Sequence, residues 1–180
     1  MEGYKVIIVS GLIGAGKSTV CRMLEGRGIP VYDCDSRAKA LYEVYPALKA
    51  MLSPDLFSRP GALETLEDAL FPLLLEDIRR WAGDTGAAVV AVESATMLYK
   101  PFFDGFGDYV LWVSAPQESR LRRVLGRGGI TEESILRRMA LQKDMEGSPR
   151  ITATIVNDSD LLGVERALDG FLNNINFKTE

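Results

Sequence analysis

The chain contains no histidine, and that absence removes a great deal of chemistry. A His-based zinc site and a Ser-His-Asp triad are excluded, so acid–base work falls to Asp, Glu, Lys or another group. Cysteine is nearly as scarce. Cys21 and Cys34 stand alone, too few for a disulfide framework, and no signal-peptide pattern occupies Met1–Val9. They read as reduced thiols of a cytoplasmic protein. Long apolar runs are missing as well: Ala87–Val92 and Tyr109–Val113 fall short of the roughly 18–20 residues that a membrane span requires. Positive charge is in deficit, with 21 Lys and Arg against 25 Asp and Glu and a net charge of −4. A nucleic-acid binder would carry a basic face to neutralise phosphates.

What remains is an ordinary globular composition. The 180 residues are 47% hydrophobic and 26% charged, which fits a single folded domain, 1–180, rather than a disordered chain. Five short apolar runs read as strands: Lys5–Ser10, Ile29–Asp33, Ala87–Glu93, Tyr109–Ser114 and Ala153–Asn157. Each is nearly continuous in apolar residues, as expected of strands covered on both faces. Helical patterns separate them, over Ser18–Leu24, Ala38–Leu52, Ala62–Trp81, Gln117–Leu125, Glu132–Met145 and Leu161–Ile175. Strands alternating with helices imply a three-layer α/β fold around a parallel five-stranded sheet. Ser53–Gly61 reads as a loop or hinge, Gly126–Gly129 as a flexible turn, and Asn173–Glu180 as a polar tail that frays. Trp81 and Trp112 read as packing residues.

The strongest signal is Gly11-Leu12-Ile13-Gly14-Ala15-Gly16-Lys17-Ser18, a full match to the phosphate-binding loop G-x-x-x-x-G-K-[ST]. The glycines let the backbone curl until successive N–H groups point at a phosphate, at a helix N-terminus where the dipole favours anions. Lys17 places a point charge between the β- and γ-phosphates, and the Ser18 hydroxyl is offered to Mg²⁺. Ala15 and Thr19 complete the nucleotide-binding stretch. A chance match in a glycine-rich turn would arise in about one chain of this length in a hundred. Here the motif also follows a strand and opens a helix. The loop says nucleotide; it does not say what is done with it.

Asp33-Cys34-Asp35 ends the second strand, at the sheet edge where open α/β proteins bind ligands. An acceptor hydroxyl needs a base or hydrogen-bond acceptor to orient it for in-line attack on the γ-phosphorus. Without histidine an Asp is the natural candidate. Equally, Asp35 could merely cap the helix that follows, and spacing alone leaves both readings open. Glu93 and Ser94, at the end of the third strand, are open in the same way between Mg²⁺ or acceptor contact and capping.

With these residues in view, the chain resembles the dephospho-CoA kinase family along nearly its whole length. Val6–Thr19 is similar to the family's opening strand and loop, and Gly28–Asp35 to the segment whose final Asp is the proposed catalytic base. Val92–Ala95 is similar to the third-strand end, and Ala115–Arg123, Arg127, Thr131–Glu133 and Arg138–Gln142 to the fourth-strand exit and lid. Ile155–Ser159 resembles the family's closing I-x-N pattern. The departures lie on the acceptor side. Phe71-Pro72 stands where the family has His-Pro, Tyr99 where it has Glu, Lys39 for Arg and Gly128 for Asp, and the segment between Leu52 and Phe71 is short.

The resemblance implies an adenylate-kinase-like core with an acceptor subdomain over roughly 40–82 and a helical lid over roughly 118–150. It implies phosphorylation of the ribose 3′-hydroxyl of dephospho-CoA by ATP with Mg²⁺, with Asp35, Lys17 and Arg127 catalytic and with Arg127 and Arg138 on the nucleotide. Basic residues outnumber acidic ones between Glu118 and Arg150 although the whole chain is acidic. Guanidinium groups on a closing lid stabilise transferring phosphate and exclude water. For Arg122, Arg137 and Lys143 a solvated helix face, as in a Glu133–Arg137 pair, is the simpler reading. Two other readings stay open: a related P-loop kinase with a different small-molecule acceptor, and an ATP-binding module without turnover. Oligomeric state is not legible.

Overall fold

The computed structural model describes residues 3–53, 56, 59–129, 131–158 and 160–177. Ser159, the tail residues 178–180 and part of the 53–61 loop therefore lie outside the described residues. Five parallel strands form one sheet: β1 (Lys5–Ser10), β2 (Val31–Asp33), β3 (Val89–Glu93), β4 (Tyr109–Ser114) and β5 (Ala153–Val156), in the order β2-β3-β1-β4-β5. The helices are α1 (Lys17–Glu25), α2 (Cys34–Val44), α3 (Pro46–Met51), α4 (Ala62–Thr85), α5 (Gln117–Leu125), α6 (Glu132–Leu141) and α7 (Leu161–Asn174).

Why the central strands read as unbroken apolar runs is visible in how they divide their side chains. Val6 and Ile8 of β1, Val90 and Val92 of β3, and Val110 and Trp112 of β4 enter one core with Ile78, Leu74 and Leu70 of α4. Their neighbours Ile7, Val9, Ala91, Leu111 and Val113 enter a second core, with Val20 and Leu24 of α1 and Leu168 and Phe171 of α7. Successive residues of a strand face opposite ways, so a strand covered on both sides must be apolar at every position. The register is set by β1, which pairs with β3 from Lys5↔Val89 to Val9↔Glu93 and with β4 from Ile7↔Tyr109 to Ser10↔Trp112. All strand C-termini therefore open on one edge.

Several helix boundaries differ from the sequence reading, each for a local reason. The single helix expected over Ala38–Leu52 is two, broken at Tyr45, whose φ/ψ of −111°/94° is extended. Pro46 is at the first position of α3, and a proline both disfavours helical geometry in the preceding residue and suits a helix start. α4 runs past Trp81 to Thr85 and stops at Gly86, whose φ of 64° suits a left-handed terminus. It carries Pro72 within its length. The helix expected to reach Met145 ends at Leu141, and Met145 instead packs against the α4-side core. The third strand starts at Val89 rather than Ala87, and the second spans only Val31–Asp33. Trp112 is buried, and Trp81 packs edge-on to Tyr32 at 5.3 Å between centroids. No described helix is long and apolar enough to cross a membrane.

Ile78 is wholly buried where α4 meets the sheet. Ile78→Ala is expected to lower unfolding free energy by about 2–5 kcal/mol, the range for deleting a buried aliphatic side chain. Urea denaturation should show a lower midpoint at unchanged slope.

Candidate functional site

β1 ends at Ser10, the glycine-rich loop follows, and α1 opens at Lys17. The loop curls because three of its positions tolerate only glycine; at Gly11, φ 152°, a Cβ would lie 2.2 Å from the Val113 carbonyl oxygen. Gly14 has φ 79°, and a Cβ there would lie 2.5 Å from the Arg120 carbonyl oxygen; Gly16 has φ 99°, and its Cβ would lie 2.0 Å from Asn157 Nδ2. The last contact belongs to a support that sequence reasoning did not assign. Asn157, 4% exposed just beyond β5, donates from Nδ2 to the Ala15 carbonyl at 2.9 Å. Arg123 of α5 donates to the carbonyls of Gly14 (3.3 Å) and Ala15 (3.2 Å), and to Asn157 O (2.8 Å) and Oδ1 (3.3 Å). A lone guanidinium in an arginine-rich helix carries no sequence mark of such a role. Asn157 carried one in hindsight, a polar residue directly after an apolar strand.

Lys17 Nζ donates to the Gly11 carbonyl at 3.1 Å. Burial holds its ammonium below the ordinary lysine range, while the carboxylates of Glu93 and Asp35 pull the other way and Arg127 adds to the depression. Burial pushes the Glu93 carboxyl above the ordinary glutamate range, with the Cys21 thiol hydrogen bond and Lys17 opposing and the charges of Asp33 and Asp35 reinforcing. Thus the charges of Asp35, Glu93 and Arg127, from separate parts of the chain, all bear on Lys17. Ser18 is exposed and shares a cleft with Asp33, Glu93 and Arg127. Among the described residues no group of three or more metal-ligating side chains is assembled. An exposed hydroxyl beside two carboxylates fits a hard cation such as Mg²⁺, which retains several waters and leans on substrate phosphates rather than a protein cage.

The acidic pair divides its labour differently from the capping alternative raised above. Asp33, not Asp35, caps α2: its carboxylate accepts from the N–H of Asp35 (2.9 Å) and Ser36 (3.2 Å) and from Ser36 Oγ (2.8 Å). Asp35 lies exposed in the first turn, its carboxylate unused by the cap. It also lines a pocket of about 180 Å³ with Tyr42, Glu67, Phe71, Met97 and Phe103. Phe71, which replaces the family's His, stacks at 4.9 Å between centroids on Phe103 and at 5.7 Å on Phe102. Tyr99 is half-buried beside the Lys100–Glu67 ion pair, closed at 2.6 Å. Ser94, buried, serves its own turn by accepting from the N–H groups of Thr96 and Met97.

α5 and α6 carry the expected lid arginines. Arg127, just beyond α5, is exposed and reaches the cleft of Ser18 and Glu93. Arg138 is exposed in the last turn of α6. Arg122, Arg137 and Lys143 are exposed too, and Arg137 pairs with Glu133 at 3.4 Å. One further residue of this region touches the loop: the Ile13 N–H donates to Gln142 Oε1 at 2.6 Å, joining positions 129 apart in sequence.

Known proteins resemble this chain in sequence and in fold. The family model for dephospho-CoA kinase (CoaE) matches residues 47–162. The dephospho-CoA kinase of Deinococcus radiodurans is 36% identical, covering 92% of this chain and 87% of that protein. A crystal structure from Thermus thermophilus superposes with a TM-score of 0.79 at 30% identity, covering 96% of this chain and 98% of that one. The dephospho-CoA kinase from Campylobacter jejuni superposes at 0.60 and 18% identity, covering 94% and 96%, and shows the shared fold.

Two outcomes follow from the site. Arg123→Ala removes donors from buried loop carbonyls and should cost about 1–3 kcal/mol of stability, with nucleotide affinity weakened roughly tenfold, since each 1.4 kcal/mol is tenfold. Thermal denaturation and calorimetric titration would measure the two. Burial pushes the thiols of Cys21 and Cys34 well above the ordinary cysteine range. Both should therefore resist a disulfide reagent at pH 8 in the folded protein and react on unfolding, because the thiolate is the nucleophile.

Proposed function

The chain belongs to the dephospho-CoA kinase family, and on that premise we propose that it transfers the γ-phosphate of ATP to the ribose 3′-hydroxyl of dephospho-CoA, the last step of coenzyme A synthesis, with Asp35 as the base. The observation that carries the reading is the position of Asp35. Its carboxylate lies within the electrostatic reach of Lys17 on one side and lines the pocket of Phe71 and Phe103 on the other. It stands between a donor loop and an acceptor cavity.

The loop amides and Lys17 hold the β- and γ-phosphates, with Lys17 leaving the Gly11 carbonyl for the anion. Asp35 accepts the hydrogen bond of the attacking hydroxyl and takes its proton as the new P–O bond forms. The β,γ-bridging oxygen departs with the electron pair, giving ADP. Charge spreads over the equatorial oxygens during transfer, and Arg127 neutralises it from the cleft. Arg138 joins when the α6 part of the lid over roughly 118–150 closes on the nucleotide, with Arg123 and residues 142–150 staying in place. Mg²⁺ would be held by Ser18 with Glu93 and Asp33 close by, and would supply neutralisation of phosphate charge. The acceptor subdomain is the region 40–82, whose α4 supplies Glu67, Phe71 and Leu74 to the pocket. Two buried, unpaired thiols suit a cytoplasmic enzyme.

Incubation with MgATP and dephospho-CoA should yield coenzyme A and ADP by mass spectrometry, and phosphate appearing only on another alcohol would redirect the assignment. Asp35→Asn should lower turnover at least ~100-fold with ATP affinity retained. Near-normal turnover in that variant would remove Asp35 from the role of base.

A further inference from the structure

The wall of the acceptor pocket on the strand-β3 side consists of two short 3₁₀ turns, Met97–Tyr99 and Pro101–Phe103. Met97 and Phe103 face the pocket that Asp35 and Phe71 also line. Turns of this kind hold themselves weakly: their hydrogen-bond geometry is poor and their last carbonyls are left without partners. Here the Phe103 carbonyl accepts from the Phe106 N–H at 3.0 Å, whereas the Leu98 carbonyl is met from outside. Arg150 Nη1 donates to the Leu98 carbonyl at 2.6 Å and to Asp104 Oδ1 at 2.8 Å, and Nη2 reaches the Phe103 carbonyl at 3.5 Å. Leu98 is 0% exposed, so its carbonyl sits where an unmet acceptor is costly.

Arg150 arrives on the connector from α6 to β5, and that connector is tied at other points as well. Gln142 takes the Ile13 N–H of the phosphate loop at 2.6 Å, and Glu146 accepts from Ser114 Oγ at the end of β4 at 3.1 Å. Ile151 and Met145 pack into the core beneath it. One strap, residues 142–150, thus bridges the donor loop and the back of the acceptor wall.

We infer that Arg150 is a positioning residue for the acceptor. It touches no reacting atom; it fixes the turns that carry Met97 and Phe103, and so the pocket's shape opposite Asp35, in a frame shared with the phosphate loop. This rests on the dephospho-CoA kinase reading given above. A forked guanidinium suits the task because it serves two carbonyls and a carboxylate from one plane, which an ammonium does not.

The test is steady-state kinetics of Arg150→Ala and Arg150→Lys beside the wild type, with melting temperatures taken in parallel. In Arg150→Lys the pairing with Asp104 is retained and the fork is lost, so this variant carries the test should Arg150→Ala fail to fold. The expected result is a dephospho-CoA KM raised about 5- to 20-fold in either variant, with ATP KM changed less than about twofold and kcat within about threefold. Guanidinium chloride at low millimolar concentration should recover part of the loss in Arg150→Ala. A lower melting temperature with both KM values unmoved would reduce Arg150 to a structural tie and overturn the inference, as would equal rises in both KM values. Absence of dephospho-CoA turnover in the wild type would overturn the activity itself, which separates the two failures.

Discussion

A loop that wraps an anion with its own N–H groups must turn the matching carbonyls outward, and buried carbonyls need donors. This constraint organises the rest of the molecule. The Gly14 and Ala15 carbonyls are met by Arg123 of α5 and by Asn157 beyond β5, so the phosphate loop is held by residues 108 to 142 positions away in sequence. Asn157 also completes the sheet, donating its backbone N–H to Ser114 at 2.8 Å. The nucleotide cradle is therefore stiff only when the whole sheet has formed, and its preorganisation is a property of the fold rather than of the motif.

Electrostatics at the mouth of the loop follow from the same packing. Strand β3 lies against β1, which brings Glu93 beside the loop, and β2 beyond it delivers Asp33 and Asp35 to the same edge. Burial works against the charge on Lys17 while these carboxylates favour it. The lysine is held between its own backbone and the place a phosphate would occupy. Carboxylates that cap a helix are usually spent on that task. Here Asp33 takes the cap and leaves Asp35, two residues on, with its oxygens directed to solvent and the pocket.

The acceptor side is built on apolar contact. Phe71, Phe102, Phe103 and Phe106 form a continuous aromatic group, with the Lys100–Glu67 pair closing its edge. Each ring of the group adds buried apolar area and an edge-on or tilted contact to the wall. The donor loop has backbone angles and close approaches that admit no substitution.

Much of this was legible beforehand. The alternation of strands and helices, the two-faced burial of the strands, the phosphate loop and the candidacy of Asp35 all rest on local rules of periodicity and spacing, which a sequence states directly. The break at Tyr45–Pro46 is written there too, in the proline. Which aspartate caps and which keeps its carboxylate free of the cap was not, because both satisfy the same spacing and only the direction of α2 separates them. Nor were Arg123, Gln142 and Arg150 distinguishable from their exposed neighbours. An arginine's role is set by the carbonyl that lies opposite it, and those partners come from chain segments tens of residues away. The sequence by itself determined the elements, their faces and the anion-binding loop, since these depend on near neighbours; the tertiary structure decided which polar side chains meet buried backbone groups, since that depends on distant ones.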